Sequence, residues 1–259
     1  MMPPLWNQSD DSPVMPVESS LTPERNRQEP TLDAHDSAAR RDARLLQKEA
    51  PRYIAIEGPI RVGKSTLARH LSEYLGADLM VEAEDNHHLP DFYAGQHGSA
   101  FRAQMSFLVQ RYRQLWPLGR NRLDHLVVAD YIFEKDKIFA YINLSDDELN
   151  VYEQYYQMFR PQLGTPELVI YLQARPEVLK QRVTRKGVPE EQQISFEYLE
   201  EVVKAYDHFF FHYSQSDLLV VNTSEIDFVR NEKDLRQLLR RLDEPVRGTE
   251  YYHPLASHL

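Results

Sequence analysis

Residues 53–66 read YIAIEGPIRVGKST. Tyr53 to Glu57 is a run of strand-forming residues, and Gly58, four further residues, Gly63, Lys64 and Ser65 follow at once. From Leu67 to Leu75 the apolar residues recur with a helical period. Strand, glycine-framed loop and helix start, in that order, make a cradle for phosphate. The glycines permit a tight wrap, and the backbone N–H groups at the helix N-terminus face an anion. Gly58, Pro59, Ile60, Arg61, Val62, Gly63, Lys64, Ser65 and Thr66 would line the phosphates of a nucleotide such as ATP. Lys64 would reach the β/γ-phosphates and the Ser65 hydroxyl would hold Mg²⁺.

The 259 residues contain no run of eighteen apolar residues, which fits one soluble domain with a tail rather than a membrane protein. No basic start followed by an apolar core is visible, so no signal peptide is expected. With no cysteine, disulfides, thiolate chemistry and Cys-based zinc sites are excluded, and a cytoplasmic location is expected. The net charge of −10 argues against general nucleic-acid binding. An anionic nucleotide can still bind where donors cluster locally.

Residues 1–48 are rich in Pro, Ser, Asp, Glu and Arg without a sustained apolar period, and read as a disordered extension. Ala38 to Leu46 could add a short helix, and a partner-docking arm is the alternative to a solvated tail. The folded domain is expected over 49–245, with 246–259 as a C-terminal tail. Leu79 to Val81 reads as a second strand ending at Glu82. His87 and His88 are adjacent and lack a partner at i+3 or i+4, so no metal role is expected. Ser99 to Leu115 keeps a helical spacing, with Gln104, Phe107 and Arg111 on one stripe.

His125 to Asp130 is an apolar strand ending in an acid. In an open α/β sheet the carboxyl ends of the strands face the ligand crevice, which makes Asp130 a candidate Mg²⁺ ligand. Ser145 to Glu148 is a capping box that opens a helix reaching about Leu163. Its Tyr152, Tyr155, Tyr156 and Phe159 read as core or dimer packing. Leu168 to Leu172 is a fourth strand and Leu218 to Val221 a fifth. Helices are expected over 176–186, 196–213 and 228–242. Lys180, Arg182, Arg185 and Lys186 either complement a helix dipole or form a lid over transferring phosphates. The fold class is therefore α/β: a three-layer P-loop NTPase-type fold. A five-stranded parallel sheet has helices on both faces and carries a short lid.

Assembled over about 52–242, these residues resemble the deoxyribonucleoside kinases, in the branch acting on deoxyadenosine, deoxyguanosine or deoxycytidine. The likeness rests on a Glu after strand two, Phe92-Tyr93, the Gln104-x₆-Arg111 helix, the acid ending strand three, and RKGVPEEQQISFEYLE at 185–200. It implies ATP–Mg²⁺ and a deoxynucleoside as substrates, with Glu82 as the base for the sugar 5′-hydroxyl. Counted from the strand, Glu82 is that base. Counted back from Asn86 the position falls on Val81, and Glu84 is then the fallback. Tyr93 and Glu191 match the pair that holds the sugar 3′-hydroxyl, Gln104 the base-reading glutamine, and Arg111 with Asp136 the charged pair beside it. Phe139 matches the aromatic that stacks on the base, and Arg182 and Lys186 match lid positions.

The chain departs from the family pattern at several points. Tyr131 stands where many members carry Arg after the acid, Val188 replaces a lid Arg, and Arg61 a loop Gly. The expected product is a deoxynucleoside 5′-monophosphate, made by a homodimer. The rival readings are a nucleoside monophosphate kinase and a nucleotide-binding interaction protein with decayed catalysis.

Overall fold

The computed structural model describes residues 51–83, 86–120 and 125–255. The 1–48 extension and Glu84 lie outside them. Six strands form one sheet: β1 (Tyr53–Glu57), β2 (Asp78–Met80), β3 (Val127–Ala129), β4 (Leu168–Gln173), β5 (Asp217–Asn222) and β6 (Thr249–Tyr252). Their order is β2-β3-β1-β4-β5-β6, and every neighbouring pair is parallel. The expected five-strand count was one short. β6 lies in the 246–259 stretch read as a tail, because TEYY is a half-exposed edge strand with no apolar run to betray it.

Eight helices are described: α1 (Lys64–Leu75), α2 (Leu89–Tyr93), α3 (Ser99–Arg120), α4 (Lys135–Asn143), α5 (Asp146–Phe159), α6 (Pro176–Lys186), α7 (Phe196–Phe211) and α8 (Glu232–Arg241). The capping box of α5 forms as read, with both Ser145–Glu148 interactions present. Short 3₁₀ turns cover Arg160–Gln162 and Glu190–Gln193.

Strand side chains alternate between two cores. Ile54, Ile56, Val128, Ile170, Leu172, Leu219 and Val221 face one way, onto Leu67, Leu71 and Leu75 of α1 and Leu235 and Leu238 of α8. Tyr53, Ala55, Val127, Ala129, Val169, Tyr171 and Val220 face the other, onto Leu108 and Leu115 of α3 and Tyr206 and Phe210 of α7. A parallel sheet buried on both sides requires that near-continuous apolar pattern. It sets the carboxyl ends of central strands β1 and β3 side by side, and the phosphate loop and Asp130 emerge there.

Candidate active site

The phosphate loop fills the step from β1 to α1. Gly58 has φ +154°, and a Cβ there would lie 2.4 Å from the Leu172 carbonyl oxygen of β4. Gly63 has φ +113°, and a Cβ would meet the Phe228 ring at 2.6 Å. Both positions therefore exclude any side chain, which is the constraint behind the motif. Lys64 is folded back on the loop, its Nζ donating to the carbonyls of Gly58 at 2.7 Å and Pro59 at 3.1 Å. Burial, reinforced by the nearby Lys135 charge, lowers its ammonium pKa to about 8. Ser65 opens α1 on the exposed side.

Asp130 is buried directly after β3, and its Oδ1 accepts from the Glu82 backbone N–H at 2.7 Å. The preceding carbonyl, of Val81, accepts from Gln114 Nε2 at 2.6 Å. Two contacts thus fix the backbone that presents Glu82, although β2 ends at Met80, one residue short of the expected strand end. The donor set offered by Ser65 and Asp130 is all oxygen. It suits Mg²⁺, which takes one or two protein oxygens beside substrate phosphates. The Asp130 charge also favours the charged form of Lys64.

From Glu82 a chain of charges runs to the stripe on α3. Glu82 Oε1 accepts from Arg111 Nε at 2.8 Å and from Nη2 at 2.6 Å. Its Oε2 is paired with Lys135 Nζ. Arg111 Nη1 is in turn paired with Asp136 Oδ2. Gln104 Nε2 donates to the Asp136 carbonyl at 2.8 Å and to its Oδ1 at 2.5 Å. The Arg111 guanidinium lies over the Phe107 ring, 4.7 Å from its centroid, so Gln104, Phe107 and Arg111 share the face their spacing demanded.

The charges are set by these neighbours. Burial raises the Glu82 carboxyl, but Lys135 and Arg111 outweigh it and hold Glu82 well below the usual carboxylate range. Burial also opposes the charge of Arg111, and Glu82 and Asp136 overcome that as well. Asp136 is 0% exposed, and burial pushes its carboxyl up against the pull of Arg111. Phe139 sits one turn beyond Asp136 on α4, edge-on to Tyr206 at 6.1 Å.

The remaining expected residues part company. Arg182 does not project as a lid cation. Its Nη1 donates to the Val62 carbonyl at 3.0 Å, and its Nη2 to the carbonyls of Thr223 at 2.9 Å and Ile226 at 3.2 Å. It braces the back of the phosphate loop against the segment after β5. Lys186, the last residue of α6, is exposed. Glu191 is taken by Arg61, whose Nε and Nη2 each donate to a carboxylate oxygen at 2.6 Å. Tyr93 ends α2, which packs against the 190–193 turn that carries Glu191.

Two residues of the site went unread in the sequence. Glu57 ends β1 fully buried, accepting from the N–H groups of Gly58 at 2.8 Å and Ile132 at 3.0 Å and from the Tyr206 hydroxyl at 3.1 Å. A carboxylate directly before the glycine loop was visible as the one charge in an apolar strand. Lys135 had no such signal, since it stands in a charged tetrapeptide, Glu134-Lys135-Asp136-Lys137, that reads as a solvated face.

The chain is similar to known proteins over most of its length. The sequence profile of the family described as Deoxynucleoside kinase matches residues 54–247. A deoxyguanosine kinase of Bacillus subtilis is 34% identical over 75% of this chain and 97% of its own length. A deoxyadenosine kinase of Dictyostelium discoideum is 28% identical over 78% of this chain and 83% of its own. Among solved structures, the M. mycoides deoxyadenosine kinase with products dCMP and a flexible dCDP bound superposes with a TM-score of 0.62. It has 25% identity and covers 73% of this chain and 98% of that one. The chain described here belongs to the deoxynucleoside kinase family and is a kinase.

Proposed function

We propose that this enzyme transfers the γ-phosphoryl group of ATP to the 5′-hydroxyl of a purine or cytosine deoxynucleoside. The new bond joins the 5′-oxygen to Pγ, the bond from Pγ to the β–γ bridging oxygen breaks, and ADP leaves. The 5′-hydroxyl proton passes to Glu82. The observation that carries this reading is the unbroken run Gln104–Asp136–Arg111–Glu82, which joins groups able to read a base edge to a carboxylate beside the phosphate loop. Catalysis of this kind is positioning and charge stabilisation. Lys64 swings from the Gly58 and Pro59 carbonyls onto the β/γ-phosphates. Ser65 and Asp130 would hold Mg²⁺, which when bound would neutralise charge on the phosphate oxygens.

Gln104 offers a donor and an acceptor in one plane, which fits two neighbouring positions on a base edge. Arg111 and Asp136 present a guanidinium and a carboxylate for a ring nitrogen or carbonyl and an exocyclic amine, with Phe139 as the ring the base stacks on. Thymine lacks that amine and brings a methyl group. A site built for a hydrogen-bonding group rejects an analogue without it. Tyr93 and Glu191 hold the 3′-hydroxyl. A monophosphate acceptor is disfavoured, because Arg111 is already committed to two carboxylates. The enzyme works as a homodimer in the cytoplasm, with 49–245 as its catalytic part. Exposed Tyr141 of α4 and Val151, Tyr155 and Met158 of α5 supply an apolar surface for pairing. Incubation with Mg-ATP and the four deoxynucleosides in competition tests the assignment. Deoxyadenosine or deoxyguanosine monophosphate is the expected main product, and preferred use of thymidine would overturn the reading of Arg111 and Asp136.

A further inference from the structure

Resting on the reading of Glu82 as the base, we propose that Lys135 is the positioning residue that aims Glu82 at the 5′-hydroxyl. In doing so it brings a further cation to the site that already holds Lys64 and Arg111. Glu82 has two carboxylate oxygens and two cationic partners. Arg111 takes Oε1 through two hydrogen bonds, and Lys135 takes Oε2. Arg111 is itself tied to Asp136 in the base-reading stripe, so it belongs to both functions. Lys135 is tied to none of that stripe.

Several facts say that this lysine is not an ordinary surface charge. It is 8% exposed. It occupies the first position of α4, where a positive charge opposes the helix dipole. It pairs with Glu82, and its charge also acts on the buried Glu57 at the end of β1 and on Lys64 of the phosphate loop. The Lys135 charge disfavours the Lys64 ammonium unless anions act on both. The buried carboxylate Glu57, the half-buried Glu82 and Asp130 offset that repulsion now, and a phosphoryl group in transit would add to the same balance.

Tyr131 explains why the cation comes from α4. It directly follows Asp130, but it is fully buried and donates its hydroxyl to Gln114 Oε1 at 2.7 Å. The position after the acid therefore stabilises the backbone at Val81 through Gln114 and carries no charge toward Glu82. Lys135, at the start of the next helix, brings the charge instead.

The test is a double-mutant cycle on the full-length protein with Mg-ATP and its best deoxynucleoside. Lys135→Met should lower kcat by about 10²-fold, the scale of a misaimed reacting group, with KM for the deoxynucleoside within about threefold of wild type. In the Glu82→Gln background the same change should cost less than about threefold, because a residue that acts through another loses its effect once that group is gone. The acid limb of the wild-type kcat profile should move to higher pH in Lys135→Met. Lys135→Arg, which keeps a cation, should recover most of the rate. A thermal melt of each variant separates loss of fold from loss of rate, and Lys135→Arg carries the test should Lys135→Met fail to fold. Full kcat in Lys135→Met, independent multiplicative losses in the cycle, or no recovery by a folded Lys135→Arg would overturn the proposal while leaving Glu82 as the base. Full kcat in Glu82→Gln alone would overturn both.

Discussion

Lys64 and Glu82 are both held below their ordinary titration ranges, which weakens the charge of the first and secures that of the second. Burial and the neighbouring Lys135 bring the Lys64 ammonium to about 8 in the nucleotide-free protein. Phosphate oxygens would restore its charge, so nucleotide binding above that pH must take up a proton. ATP affinity is therefore expected to weaken as pH rises from 7 to 9, and calorimetry in buffers of different ionisation enthalpy should record proton uptake. Lys64→Ala should remove both that pH dependence and nearly all turnover. Glu82 is depressed by Lys135 and Arg111. A carboxylate stabilised in this way adds stability that is fully present above its unfolded pKa of about 4.3. That stability declines below there and is gone once pH falls through the lower folded value. The melting temperature gap between wild type and Glu82→Gln should be wide at pH 7 and should begin to shrink only below about pH 4. In turnover at pH 7, Glu82→Gln should cost at least about 10²-fold in kcat, the usual scale for a general base. Should Glu84→Gln carry that loss instead, the base lies further along the loop.

At the scale of elements, the phosphate loop and the 190–193 turn are linked by one ion pair. Arg61 has φ +59°, a left-handed backbone that suits glycine better than arginine. Its side chain makes a two-point fork onto Glu191, which offsets the local strain and orients the carboxylate proposed for the sugar 3′-hydroxyl. Arg61→Gly relieves the strain and frees Glu191. The expected outcome is an unchanged melting temperature, a deoxynucleoside KM raised by about tenfold, and kcat within about threefold of wild type. A KM equal to that of wild type would show that Glu191 needs no such tether. The strand–loop–helix start was legible because the glycines, Lys64 and the apolar period all follow from local geometry. The Gln104–Arg111 stripe was legible because helical spacing puts the two on one face. The contacts of Arg182 and Glu191 were not, since a sequence shows that a charge exists but not which distant carbonyl or charged group takes it. Arg182 meets Val62 from 120 positions away, and Arg61 meets Glu191 across 130.

At the scale of the whole molecule, the family match ends at residue 247, yet the sheet does not. β6 pairs with β5 from Leu218 opposite Thr249 to Val221 opposite Tyr252. Around it, Arg241 of α8 donates to Glu250 at 2.5 Å, Gly248 N–H donates to Asp217 Oδ1 at 2.7 Å, and Leu218 N–H donates to the Gly248 carbonyl at 2.8 Å. A strand fastened by charge at one side and by backbone at the other covers what would be an open edge on β5. An uncovered edge of Leu218–Val221 presents apolar residues with unpaired N–H and C=O groups, the template for edge-to-edge association. A chain ending at residue 245 is therefore expected to melt several degrees lower and to aggregate with time in light scattering. Its initial kcat should stay near wild type, because β6 lies at the far end of the sheet from β1 and β3. A chain beginning at residue 49 should keep both melting temperature and kcat, since it retains every strand of the sheet and every side chain assigned to the site. If the C-terminal truncation matched wild type in both melting and scattering, β6 would be an ornament of the sheet rather than its cover. If the N-terminal truncation lost activity, residues 1–48 would belong to the catalytic unit.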